Sequence, residues 1–137
     1  MAHKILLVDD EPNIVKTLTF RLKANNYEVV SASDGEAGLR AVYEQSPDLM
    51  ILDIMMPKMD GFEVCQRLRA DLRFKRLPIL MLTAKAQAID KIWGERIGAT
   101  EYLVKPFDSN ELLNKIAQYL AERDAEKKKI DETSGGG

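Results

Sequence analysis

Asp48-Leu49-Met50-Ile51-Leu52-Asp53 decides the fold: four consecutive apolar residues closed by an aspartate. Apolar on both faces rather than alternating, such a run predicts a parallel strand covered on two sides, and Ile79-Leu80-Met81-Leu82 repeats the pattern. Ile5-Leu6-Leu7-Val8 ends in Asp9-Asp10, and Glu101-Tyr102-Leu103-Val104 ends in Lys105. Open α/β sheets bind ligands at the carboxyl ends of their strands. Three carboxylates and a lysine converging there predict a divalent-metal site that also handles phosphate, because the acids need a cation and the lysine needs an anion. Two carboxylates ~4 Å apart repel by about 4 kcal/mol at an effective dielectric of 20, so the cluster must protonate, separate or take up a metal.

Working outward, short β-rich runs alternate with longer 3.6-period segments five times over. The pattern predicts strands near 4–9, 27–32, 48–53, 78–82 and 101–104, and helices near 12–25, 35–45, 62–73, 89–98 and 109–124. Pro12 suits a first helical turn, where its missing N–H has no partner to lose. Ser33-Asp34-Gly35-Glu36 matches a capping box, with Asp60-Gly61-Phe62-Glu63 and Asp108-Ser109-Asn110-Glu111 as aspartate-led analogues. Ile14, Leu18 and Leu22 give the first helix an apolar stripe, and Leu112, Leu113, Ile116 and Leu120 give the last one its own. Right-handed crossovers then build a doubly wound sheet.

The 137 residues, 45% hydrophobic, suffice for one full core and are too few for two ordinary domains. The expected division is a domain over 1–124, then a segment over 125–137 comprising a charged helix extension and a flexible Gly-rich tail or linker. Ala121 to Lys129 can prolong the last helix with lysines near its negative dipole end, and Thr133-Ser134-Gly135-Gly136-Gly137 is flexible in composition. A formal charge of −2 from 20 basic and 22 acidic residues gives no broad attraction to nucleic acid or anionic membrane. Apolar stretches fall far short of the roughly 20 residues that span a bilayer. With no signal-peptide pattern and a lone Cys65, the expectation is cytoplasmic.

Four motifs carry a resemblance: Val8-Asp9-Asp10-Glu11-Pro12, Leu52-Asp53-Ile54-Met55-Met56-Pro57-Lys58-Met59-Asp60-Gly61, Leu82-Thr83-Ala84-Lys85 and Tyr102-Leu103-Val104-Lys105-Pro106-Phe107. Weak singly, in this order and each after its own strand they resemble the receiver (response-regulator) domain of bacterial two-component signalling, of chemotaxis-receiver type, over roughly residues 4 to 122. The resemblance implies a flavodoxin-like doubly wound five-stranded parallel sheet of order 2-1-3-4-5 with five flanking helices. It implies that Asp53 accepts a phosphoryl group from a histidine kinase or His-phosphotransfer protein. Mg²⁺ would be held by Asp10, Asp53 and the backbone carbonyl of Met55, with Asp9 acting through water, a ligand set that suits an ion that keeps several waters. Thr83 and Lys105 would bind phosphoryl oxygens, Lys105-Pro106 would be cis, and Thr83 with Tyr102 would form the switch. A downstream protein would read the face of helix 89–98, strand 101–104 and helix 109–124. The chain would be a monomer or weak dimer, performing only its own phosphotransfer and slow self-dephosphorylation. Met55 and Lys85, two positions beyond the acceptor and the threonine, would set the reversal rate, and Met55 cannot orient a water.

Other residues have plainer readings. Cys65, amid Val64 and Leu68, is a packing residue, and Met50, Met55, Met56, Met59 and Met81 read as strand core and a tight turn rather than a cofactor box. His3 is a surface residue. Tyr102 can cover the sheet edge as well as switch, and Trp93 is either packing or a partner-docking residue. A haloacid-dehalogenase-like phosphohydrolase would need Asp-x-Asp after the first strand, where this chain has Asp9-Asp10-Glu11-Pro12. A flavin or nucleotide site would want Gly, Ser or Thr donors there. A receiver that works without phosphorylation is disfavoured by the intact acceptor set.

Overall fold

The computed structural model describes residues 2–84 and 98–135, with side chains to Lys129. Every residue of β3 (Leu49–Asp53) and β4 (Ile79–Thr83) is buried, as expected of unalternating strands. Around them lie β1 (Lys4–Val8), β2 (Glu28–Ala32) and β5 (Glu101–Val104), all parallel, in the order β2-β1-β3-β4-β5. The flavodoxin-like 2-1-3-4-5 sheet anticipated from the motifs is therefore the observed one.

Successive side chains along a strand point to opposite faces, so the sheet carries two cores. Ile5, Leu7, Leu49, Ile51, Leu80 and Leu82 meet Leu18 and Leu22 of α1 (Pro12–Ala24) and Leu112, Ile116 and Leu120 of α4 (Ser109–Gly135). On the other face Leu6, Val8, Met50, Leu52 and Met81 meet Val42 of α2 (Gly35–Gln45) and Val64, Cys65 and Leu68 of α3 (Gly61–Arg69). Cys65 is buried in this core, where loss of hydration pushes its thiol up to about 11 and keeps it protonated.

Four α-helices are present among the described residues. The expected helix at 89–98, and with it Trp93 and Lys85, lies outside them except for Gly98. The expected helix over 62–73 stops at Arg69, because the Asp71 carboxylate accepts the Arg73 N–H and starts a separate 3₁₀ turn, Leu72–Phe74. The cap of α2 is Asp34 rather than Ser33: its carboxylate accepts the Ala37 N–H at 2.8 Å, and Asp60 caps Glu63 in the same way at 2.9 Å. α4 runs on past 124 as the charged extension anticipates, and it stays helical through Gly135, into the Gly-rich segment read as flexible. No proline interrupts it, and a glycine near a helix end costs only about 1 kcal/mol against alanine. Beyond Leu120 the helix is tied down by Arg123, which donates to the carbonyls of Pro47 at 3.3 Å and Asp48 at 2.5 Å, and by Glu126 on Arg76 at 3.0 Å. His3, though at the surface, lies 2.8 Å from Asp124.

Candidate functional site

Parallel pairing puts the carboxyl ends of β1, β3, β4 and β5 at one edge: Val8 pairs with Leu52, Asp53 with Leu82 and Thr83 with Val104. Asp9, Asp10, Asp53, Thr83 and Lys105 are consequently neighbours although up to 96 positions apart in sequence. Asp53 is 4% exposed and Asp9 1%, while Asp10 is open to solvent. One carboxylate oxygen from each of the three aspartates lies within 4.8 Å of the others.

Lys105 is cis to Pro106 and sends its ammonium across β4, 3.0 Å from Asp9, 3.2 Å from Glu11 and 3.6 Å from Asp53. Its backbone N–H is anchored on the Thr83 carbonyl at 2.7 Å. Asp9 holds the loop that follows it by accepting the Glu11 N–H at 2.9 Å. The pairing of Glu11 with Lys105 was missed in the sequence. The one available signal is that Glu11 extends an already acidic run, and an exposed loop acid gives no sign of its partner.

Charge in this cluster is unbalanced, since one ammonium faces three aspartates. Burial, and then repulsion from Asp9, push the Asp53 carboxyl up to about 6 from an ordinary 3.8, with Asp10 adding to the rise; Lys105 and the Met55 N–H oppose it. Lys105 is also raised. Burial works against its charge, but the Asp9 hydrogen bond, the charges of Asp53 and Asp9 and the Glu11 hydrogen bond outweigh it. A carboxyl and a lysine both raised in one site mark an excess of negative charge, which a divalent cation relieves. Hard oxygen donors, converging at an open strand edge, fit Mg²⁺.

The loop after β3 is shaped to keep Asp53 in place. A Cβ at Gly61 would stand 2.5 Å from the Asp53 carbonyl oxygen, so only glycine lets α3 begin this close to the end of β3. Lys58 adopts a left-handed φ of 68° and brings its ammonium 3.7 Å from Asp34, while a Cβ at Gly35 would strike the Met59 carbonyl at 1.8 Å. The loop thus rests on the start of α2. Met55, by contrast, is 74% exposed, its side chain turned out although its N–H reaches Asp53.

Thr83 is 4% exposed at the end of β4. Tyr102 lies opposite Met81 and Val104 opposite Thr83, so Thr83 and Tyr102 project from the same sheet face two residues apart in register. Tyr102 is half-buried and packs on the core that α2 and α3 cover. On α4, the Lys115 ammonium lies 2.7 Å from Glu101 and the Tyr119 hydroxyl donates to the same carboxylate, fastening β5 to that helix. No described helix is long and apolar enough to cross a membrane.

Known proteins share this arrangement. The Bacillus subtilis (strain 168) alkaline phosphatase synthesis transcriptional regulatory protein PhoP is 46% identical over 121 residues, covering 88% of this chain and 49% of that protein. The chain thus spans about half the length of the curated relatives it matches. The Vibrio cholerae chemotaxis protein CheY4 superposes with a TM-score of 0.82 at 36% identity, over 87% of this chain and 99% of that one. The receiver domain of the sensor histidine kinase PA1611 from Pseudomonas aeruginosa PAO1, solved with a magnesium ion in its active-site cleft, gives 0.82 at 30% identity, over 88% and 99%. The family model described as the response regulator receiver domain matches residues 5–117, and with its motifs placed at one sheet edge the chain belongs to that family.

Proposed function

We propose that the chain is a phosphorylation-controlled switch of a two-component phosphorelay, with Asp53 as the phosphoacceptor and a histidine kinase or His-phosphotransfer protein as donor. The observation that carries this reading is a buried Asp53 whose oxygen sits 3.6 Å from the Lys105 ammonium and within 4.8 Å of oxygens from Asp9 and Asp10. An Asp53 carboxylate oxygen would attack the phosphorus of a phosphohistidine, forming the acyl phosphate as the P–N bond breaks and the imidazole leaves. Phosphoryl transfer asks of a protein mainly positioning and charge stabilisation. Lys105 supplies charge, and the loop resting on α2 supplies position.

Asp10, Asp53 and the Met55 carbonyl would hold Mg²⁺ directly, with Asp9 reaching it through water. Bound there, the ion would neutralise charge on the transferring group. Thr83 would donate its hydroxyl to a phosphoryl oxygen, and Tyr102, on the same face, would follow. The reader of that change would be a downstream protein on the face built from the segment before β5, β5 itself and α4. The chain acts on no separate substrate: it carries out its own phosphotransfer and, with Met55 turned outward, a slow self-dephosphorylation. It works in the cytoplasm as a monomer or weak dimer, without contacting nucleic acid or membrane itself.

Incubation with acetyl phosphate tests the reading. One phosphoryl group should be incorporated with Mg²⁺ and none after chelation, and Asp53→Asn should prevent it. Incorporation that continues in the chelator would contradict the metal assignment.

A further inference from the structure

At the amino ends of the strands, opposite the edge that carries Asp53, two adjoining hollows of about 230 and 250 Å³ share Arg73, Arg123 and Lys127. One wall is the turn between α3 and β4, which adds Leu72, Lys75 and Arg76, and the other is α4. Five cations thus line the two hollows, against the carboxylates of Asp48 and Glu126. Positive charge is concentrated here on a chain whose formal charge is −2. None of these residues belongs to the phosphoacceptor site.

The three arginines are held in place. Arg73 donates to both oxygens of Asp71, from Nε at 3.2 Å and from a terminal nitrogen at 2.8 Å, and its guanidinium lies 5.2 Å from the ring centres of both Tyr43 and Phe74. Arg76 lies 3.0 Å from Glu126, and Arg123 is fixed on the carbonyls of Pro47 and Asp48. Lys75 and Lys127, one on each wall, are exposed and form no ion pair among the described residues. Beside them Leu72 is 85% exposed, more than any other large hydrophobic residue among those described. Fixed guanidinium groups, two unpaired ammonium groups and an uncovered leucine therefore share one surface.

We infer that this surface docks a short acidic segment of a partner protein, one that carries a large apolar side chain among its carboxylates. The carboxylates would meet Lys75 and Lys127 on the two walls and the arginines between them, and the apolar side chain would cover Leu72. Arginines already held by their neighbours lower the cost of ordering side chains on binding, and arginine is among the residues that most often anchor protein interfaces. A nucleic-acid backbone suits the surface less, because phosphates leave Leu72 uncovered and a net negative chain gives a long polyanion no broad attraction. This surface is independent of the phosphoacceptor reading.

The probe is a capped synthetic peptide with a phenylalanine between two pairs of glutamates. In NMR titrations of the full chain at low salt, amide shifts should centre on Leu72, Lys75 and Lys127, and added salt should weaken binding. Lys75→Glu with Lys127→Glu, both at exposed positions, should weaken it about tenfold, as expected when two exposed pairs turn from attraction to repulsion. Leu72→Ser, which touches no core residue, should also weaken binding while leaving its salt dependence in place. No shift at millimolar peptide, shifts confined to another face, or affinity indifferent to the charge reversal or to Leu72→Ser would overturn the inference. So would tighter binding of an oligothymidylate of equal charge, which would make the surface a nucleic-acid site.

Discussion

Replacing Asp53 by asparagine should stabilise the metal-free protein. The carboxyl is raised from 3.8 to about 6 by burial and by Asp9, so ionising it costs the folded state more than the unfolded chain. Two pKa units at about 1.4 kcal/mol each give roughly 3 kcal/mol at pH 8. The sign follows from proton binding: between pH 4 and 6 the native state binds more protons than the unfolded one, so stability falls as pH rises through that window. Asp53→Asn should therefore match the wild type near pH 4, exceed it by about 3 kcal/mol at pH 8 in a chelator, and lose most of that slope. Mg²⁺ at a hundred times its Kd would stabilise the wild type by about 2.7 kcal/mol and nearly close the gap. Urea melts at pH 4, 6 and 8, with chelator and with Mg²⁺, measure all of this. A variant no more stable than the wild type at pH 8 in chelator would refute the reasoning, as would a gap that Mg²⁺ leaves unchanged.

Lys105→Met removes the ammonium that Asp9 and Asp53 share, and breaking a buried pair from one side should lower stability in chelator by about 3 kcal/mol, read by the same melts. Gly61→Ala forces a Cβ to within 2.5 Å of the Asp53 carbonyl and should cost about 1–3 kcal/mol while slowing phosphoryl uptake from acetyl phosphate. Thr83→Ala should leave phosphoryl uptake on Asp53 largely intact but weaken the response of Tyr102. A charge-assisted hydrogen bond supplies only roughly 1.5–3 kcal/mol of the about 5.5 needed to move an equilibrium from 1:99 to 99:1, so NMR of the ring should report a partial shift in the wild type and a smaller one in the variant.

The sheet was legible because burial on two faces writes itself into sequence: Leu49 to Leu52 and Ile79 to Leu82 have no polar residue with which to alternate, and the observed strands differ from the expected ones by a residue at their ends. The convergence of Asp9, Asp10, Asp53 and Lys105 was legible for the same reason, since parallel strands bring their carboxyl ends to one edge. Helix ends were less so. Asp71 and Ser33 each carry a capping side chain, and only tertiary position decides that Asp71 ends one helix run and that Asp34 is the residue that caps α2. Glu11 illustrates the remaining gap. Its partner, Lys105, lies 94 residues away, and no local pattern specifies such a pair. Gly61 is similar: its helix-start position is evident in the sequence, whereas its approach to the Asp53 backbone is a property of packing.

The most direct test of the central claim is to locate the phosphoryl group in the unmutated chain. After incubation with acetyl phosphate and Mg²⁺, borohydride reduction of the acyl phosphate followed by peptide mass spectrometry should place a single modification on Asp53. Modification mapped to Asp9, Asp10 or Asp60, or spread over several carboxylates, would contradict the assignment of Asp53 as the acceptor.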